Sequence, residues 1–147
     1  VSVDNAVPGY STRYITRLTA DMYAMFGGIE SETNDMPGAR TWFEKAKHHR
    51  METPQCDRDR IDMESMAVLE ANTAITYLAD GVADAAITSC QRLLDTFDLG
   101  PSRGQWAANL SVAYRIGNQL DESLQWCKQS YNLTLDAYGE QSLCMAA

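Results

Sequence analysis

From Tyr14 onward, apolar residues recur with a helical period. Tyr14, Ile15, Leu18, Met22, Met25 and Phe26 fall at the steps that gather side chains on one helix face. This pattern predicts a first helix ended by Gly27 and Gly28, since paired glycines weaken a helix and mark a stop. The acidic stretch 30–37, with its proline, reads as a loop. A second helix is expected over 37–49, with Trp42, Phe43 and Ala46 as its apolar stripe and Pro37 in the first turn, where a missing N–H is harmless. Thr53, Pro54 and Gln55 interrupt the pattern, and the charged run 57–62 leads into Met63, Met66, Ala67, Leu69, Ala74 and Tyr77, a third helix stopped by Gly81. The fourth, over 83–97, carries Ala86, Ile87, Cys90, Leu93 and Leu94 on one face, and Leu99, Gly100 and Pro101 close it. A fifth spans 101–116, Gly117 and Asn118 turn the chain, and a sixth runs over 121–137 to Tyr138 and Gly139. Residues 141–147 read as the opening turns of another helix, and 1–10, with Pro8 and Gly9, as an extension. No stretch shows the strict alternation of a sheet strand. The expected fold class is all-α.

A longer periodicity overlies the helical one. Ala20, Tyr23 and Gly27 precede Ala39, Phe43 and Ala46; Ala74, Tyr77 and Gly81 precede Ala86, Cys90 and Leu93. Ser111, Tyr114 and Asn118 precede Ser123, Cys127 and Ser130 at the same steps. Small residues at fixed positions let helices approach closely, while the aromatic rings fill the space between layers. Self-similarity of this kind predicts stacked helical hairpins.

The pattern resembles the tetratricopeptide repeat, and the likeness covers residues 11–138 in units of about 11–50, 57–97 and 101–138. It implies a right-handed superhelix of three antiparallel hairpins plus a short carboxyl-terminal helix at 139–147. The tyrosines stand 54 and 37 residues apart, against about 34 in the family, so the array is modified where the first two units join. Long connections and the stretch 132–140 also resemble the arrays of kinesin light chains. In the family, the first helix of each unit lines a concave groove that takes an extended peptide or a partner helix. Asn72 and Asn109 match a position, five before the tyrosine, whose amide can pair with a bound backbone; the first unit has Leu18 there. The resemblance makes Arg17, Asp21, Asn72, Ile75, Gln105, Asn109, Val112 and Arg115 the candidate groove residues. Arg17 and Asn72 also fit the clamp of the chaperone-tail binding members. Asp21, Gln105 and Asn109 depart from that clamp, and Asp21 would repel a terminal carboxylate, which sets that ligand class aside.

Composition narrows the classes. With 147 residues, 45% of them hydrophobic, and four prolines, the chain fits one folded unit without disorder bias. A formal net charge of −8 argues against a nucleic-acid partner, which calls for clustered cations. The one basic cluster, Lys45, Lys47, His48, His49 and Arg50, reads as a solvated helix end complementing the macrodipole. No apolar run is long enough to span a membrane, and the first residues show no secretory pattern. Cys56, Cys90, Cys127 and Cys144 are too widely spaced for a zinc or dithiol motif. Cys90 and Cys127, at equivalent places in consecutive units, are expected as buried thiols. An intracellular, reducing compartment follows, the cytoplasm first.

Catalytic and metal chemistry find little footing. Neighbouring His48 and His49 diverge on a helix and cannot grip one metal. Asp57, Asp59, Asp62 and Glu64 lack the spaced glycine and closing glutamate of a calcium loop, and helix-start placement explains them better. Nucleophile-elbow, phosphate-loop and dinucleotide motifs are missing. The glycosylation triplets at Asn109 and Asn132 lie within expected helices. The sequence therefore points to a non-catalytic module, without cofactor or metal, that binds a protein or peptide partner. The alternative is a regulatory or assembly segment of a larger enzyme or transcription regulator.

Overall fold

Six helices, and no strand, make up residues 12–139, which the computed structural model describes. They are α1 (Thr12–Glu32), α2 (Met36–Met51), α3 (Arg60–Asp80), α4 (Ala83–Thr96), α5 (Arg103–Ile116) and α6 (Leu120–Tyr138), with short 3-10 turns at Gln55–Asp57 and Gly100–Ser102. The expected extension at 1–10 and final turns at 141–147, with Cys144, lie outside the described residues. Contacts divide the chain into two units, Val1–Thr76 and Tyr77–Ala147, with the boundary inside α3.

In the first unit, α1 does not end at Gly27 and Gly28 but runs on to Glu32. Gly27 is buried, and a Cβ there would lie 2.5 Å from Phe43 Cε1. Its role is to let the α2 ring approach the α1 backbone. The stop is Asn34, whose φ of 67° is tolerated better by Asn than by most residues. Asp35 N donates to Glu30 O at 2.8 Å, which closes the end of α1. The Asp35 carboxylate then accepts from Gly38 N at 2.9 Å and caps α2. The expected loop at 30–37 thus shrinks to residues 33–35. Such a connection forces α1 and α2 antiparallel. Ala39, Phe43, Ala46 and Leu69 form the core, with Tyr23 and Ala24 packed against it. Leu69 brings α3 onto α2, and Arg40 Nη1 donates to Thr76 O at 3.3 Å along the same seam.

In the second unit, Gly81 at φ 69° turns the chain from α3 into α4. Helix α4 buries Ala86, Cys90, Leu93 and Leu94 and is tied to α5 by Gln91 Nε2 donating to Tyr114 Oη at 3.1 Å. Helices α5 and α6 approach closest through small residues. Ser111 Oγ donates to Ser123 O at 2.7 Å, and Ser123 Oγ donates to Ser111 O at 2.8 Å. Two turns further along, Ser130 Oγ donates to Gly104 O at 2.8 Å, and a Cβ at Gly104 would meet Thr134 Oγ1 at 2.4 Å. Ala107, Leu110 and Ala113 are fully buried. Cys90 is buried as expected, whereas Cys127 is exposed. The expectation of equal burial fails because α5 packs on α4, while no described helix follows α6 to cover the matching side.

Candidate functional site

The start of α3, where it meets α1 and the end of α2, holds a dense polar network. Arg13 and Arg17 stand one turn apart on α1. At the start of α3, Asp59 and Asp62 cap one another reciprocally: Asp62 N donates to Asp59 Oδ1 at 3.0 Å, and Asp59 N to Asp62 Oδ2 at 3.1 Å. Arg17 grips Asp62 with two nitrogens, Nε at 2.9 Å and Nη2 at 2.8 Å, and Nη2 also reaches Asp59 Oδ2 at 2.7 Å. Arg13 Nη2 lies 2.6 Å from Asp57 O and 2.9 Å from Asp62 Oδ2. From α2, Arg50 pairs with Asp21, and its Nη1 lies 3.8 Å from Asp62 Oδ1. The Arg17 guanidinium, more strongly than burial opposes it, holds the Asp62 carboxyl well below the ordinary range. The Asp62 amide and then Arg17 lower Asp59 in the same direction. Arg17 is raised in turn, first by Asp62 and then by Asp59.

Two expectations change here. The basic cluster at the end of α2 is not a uniformly solvated helix end. Arg50 is only 5% exposed, Lys47 Nζ pairs with Glu44 and Glu70, each at 3.1 Å, and the His49 ring packs 5.2 Å from the Tyr23 ring. Carboxylates from α1 and α3 draw these cations inward. His48 alone stays exposed among the two histidines. The charges of Arg17 and Asp21 are likewise engaged within the fold, in the pairs with Asp59, Asp62 and Arg50.

Beside this network, α1 and α3 flank a cleft of about 300 Å³. Ala20, Ala24, Ile61, Val68 and Leu69 supply apolar walls; Asp21, Arg50, Glu64 and Ser65 supply the polar atoms. A larger, open depression of about 660 Å³ lies over α2, bounded by Tyr23, Thr41, Glu44, Lys45 and His48 among others. Its aromatic margin is already satisfied: Tyr23 stacks on Trp42 at 5.6 Å, Phe26 lies 4.9 Å from Trp42, and Lys45 Nζ sits 4.5 Å over that indole. Long, exposed side chains form much of the remainder. The smaller cleft combines apolar residues from two helices with the buried Arg50 guanidinium and its partner Asp21, so it is the better candidate despite its size.

Of the expected groove residues, Asp21 lines this cleft, and Arg17 lies in the adjoining ion network. Asn72 and Ile75 continue the α3 face that carries Ile61 and Val68, since these four fall within about 60° of arc at 100° per residue. The Asn72 amide has no hydrogen-bond partner among the described residues, which leaves its donors and acceptor open. In the second unit, Gln105, Asn109 and Val112 align along α5 with Arg115 at the edge of the stripe. Gln105 Nε2 donates to Asn109 Oδ1 at 3.3 Å. Arg13, Arg50, Asp59 and Asp62 escaped the sequence reading of the groove. The one linear signal was the doubled carboxylate spacing, Asp59 to Asp62, beside the Arg13 to Arg17 step.

Among the described residues, no group of His, Cys, Asp and Glu is placed to hold a metal, and no helix is long and apolar enough to cross a membrane. Comparison with protein-family models, with curated proteins and with solved structures finds no match.

Proposed function

We propose that the six helices form a right-handed, tetratricopeptide-like array of three hairpins that binds a segment of a partner protein without catalysing a reaction on it. The reading is carried by the α1–α3 cleft, where apolar residues of both helices flank the ion pair of Arg50 with Asp21. A bound segment would place an apolar ridge between Ala24 and Val68. Its backbone would meet the open amide of Asn72 further along α3. The acidic balance of the chain, −8, favours segments with basic flanks.

Selection of peptides from a displayed random library on the immobilised chain tests the proposal. Enriched sequences should carry apolar residues three or four apart, and their binding should fall at least tenfold on Val68→Glu, a change at an exposed position, but not on Leu124→Glu. Failure to enrich any sequence, or equal binding to both variants, would refute it.

A further inference from the structure

Two arginines of the first unit meet aspartates of α1 and α3, and they do so differently. Arg17 takes Asp62 along one edge of its guanidinium, Nε to Oδ1 at 2.9 Å and Nη2 to Oδ2 at 2.8 Å. Such a two-point fork satisfies both partners. Arg50 uses only half of the same edge: Nη2 donates to Asp21 Oδ1, while Nε has no hydrogen-bond partner among the described residues, nor has Nη1. Asp62 Oδ1, 3.8 Å from Nη1, is too far to accept from it. Both open nitrogens are shut off from bulk solvent. A buried donor of a charged group with no acceptor is costly, so this arrangement asks for an explanation.

The half-used guanidinium belongs to the α1–α3 cleft, which Arg50 and Asp21 line together. The Asp21 side chain is 60% exposed against 5% for Arg50, so the buried cation is reached from outside where Asp21 stands. An exposed carboxylate gains little from an ion pair, because water serves it nearly as well. Asp21 is thus a replaceable partner. The other carboxylates nearby do not complete the fork: Glu64, on the cleft wall, lies 3.4 Å from Arg60, and Asp62 is held by Arg13 and Arg17.

We propose that the cleft selects an acidic side chain, Asp or Glu, of the bound segment, whose carboxylate displaces Asp21 and takes both Nε and Nη2 of Arg50. The inference rests on the cleft being the binding site and specifies what that site recognises. Displacement sends the Asp21 carboxylate into water and leaves one carboxylate on Arg50, so the charge on the guanidinium stays balanced. An anion added beside a seated Asp21 would be repelled. Asp21 therefore acts as a placeholder that lowers the apparent affinity of every acidic segment by the cost of moving it. Apolar residues of the segment, packed against Ala24 and Val68, supply the rest of the contact.

Peptides selected on the full wild-type chain, synthesised with free and with amidated carboxyl termini, provide the test. Each should contain an Asp or Glu near its apolar residues, and changing that residue to Asn or Gln should weaken binding about tenfold. Amidation should change nothing. Asp21→Ala should bind the acidic peptide about threefold more tightly or better, since the placeholder is gone. On Arg50→Met the acidic peptide and its amide version should bind equally, with circular dichroism confirming that the variant folds. A second measurement needs neither the peptide nor that variant: sodium formate, compared with sodium chloride at equal concentration, should raise the thermal midpoint of Asp21→Ala by about 2 °C or more and leave the wild type unmoved. Peptides that depend on Val68 but carry no acidic residue, or an acid-to-amide loss that persists on Arg50→Met, overturn the carboxylate site and leave the cleft reading standing. Binding lost on amidation of the terminus alone, or equal formate effects in Asp21→Ala and the wild type, overturns it too. A library that enriches no sequence refutes the cleft reading itself.

Discussion

Arg17 holds Asp62 by both carboxylate oxygens, Nε to Oδ1 at 2.9 Å and Nη2 to Oδ2 at 2.8 Å, across the 45 residues that separate them in the chain. Asp62 is 2% exposed, so this fork fixes α1 against the start of α3 where water competes little. Arg17→Lys keeps the charge but cannot reproduce the planar two-point contact. It should lower stability by about 1 to 2 kcal/mol. Asp62→Ala leaves Arg13, Arg17 and Arg50 facing a lost partner and should cost about 3 kcal/mol or more. Urea unfolding of both variants checks the order.

The same residue sets a pH dependence. Asp62 is held below the value of about 3.9 of an unfolded aspartate, so in acid the unfolded chain takes up a proton that the folded chain refuses. Its stabilising contribution is complete above that value and is lost as the pH falls toward the folded one. Asp59 shifts in the same direction but is nearly half exposed and adds less. The stability difference between wild type and Asp62→Asn, measured by urea midpoints, should shrink between about pH 5 and pH 2. A constant difference would show that ionisation of Asp62 is irrelevant to it.

Neighbouring glycines should respond oppositely to the same change. Gly27→Ala drives a methyl to 2.5 Å from the Phe43 ring and should destabilise by about 1 to 3 kcal/mol. Gly28→Ala meets nothing within 4 Å and should stabilise by about 0.5 to 1 kcal/mol through helix propensity. Thermal unfolding of the two variants separates them. Phe43→Leu should recover part of the loss in Gly27→Ala, since the two positions share one space.

That glycine pair shows where sequence reading stops. Apolar periodicity located all six helices, and α4 and α6 begin and end within one residue of the expected 83–97 and 121–137, because Gly81, Asn118 and Gly139 take positive φ at or beside their ends. A glycine that stops a helix and one that admits a neighbouring ring look alike in one dimension. Only the position of Phe43 on α2 tells them apart, and it also explains why Asn34 ends α1. The polar network was hidden for a related reason. Arg17, Arg50 and Asp62 have ordinary local sequence, and their burial depends on three helices converging. Asn72 was legible because a mid-helix asparagine asks for an explanation. The cleft beside it, bounded by Ala24 and Val68, was not, since both read equally well as surface or core.

Binding in the α1–α3 cleft is the central claim, and methyl NMR of the full chain tests it most directly. On addition of a library-selected peptide, the methyl signals of Ala20, Ala24, Ile61, Val68 and Leu69 should shift together and saturate, while those of Leu120 and Leu124 stay in place. Saturable shifts confined to other residues, with the cleft methyls unmoved, would contradict it.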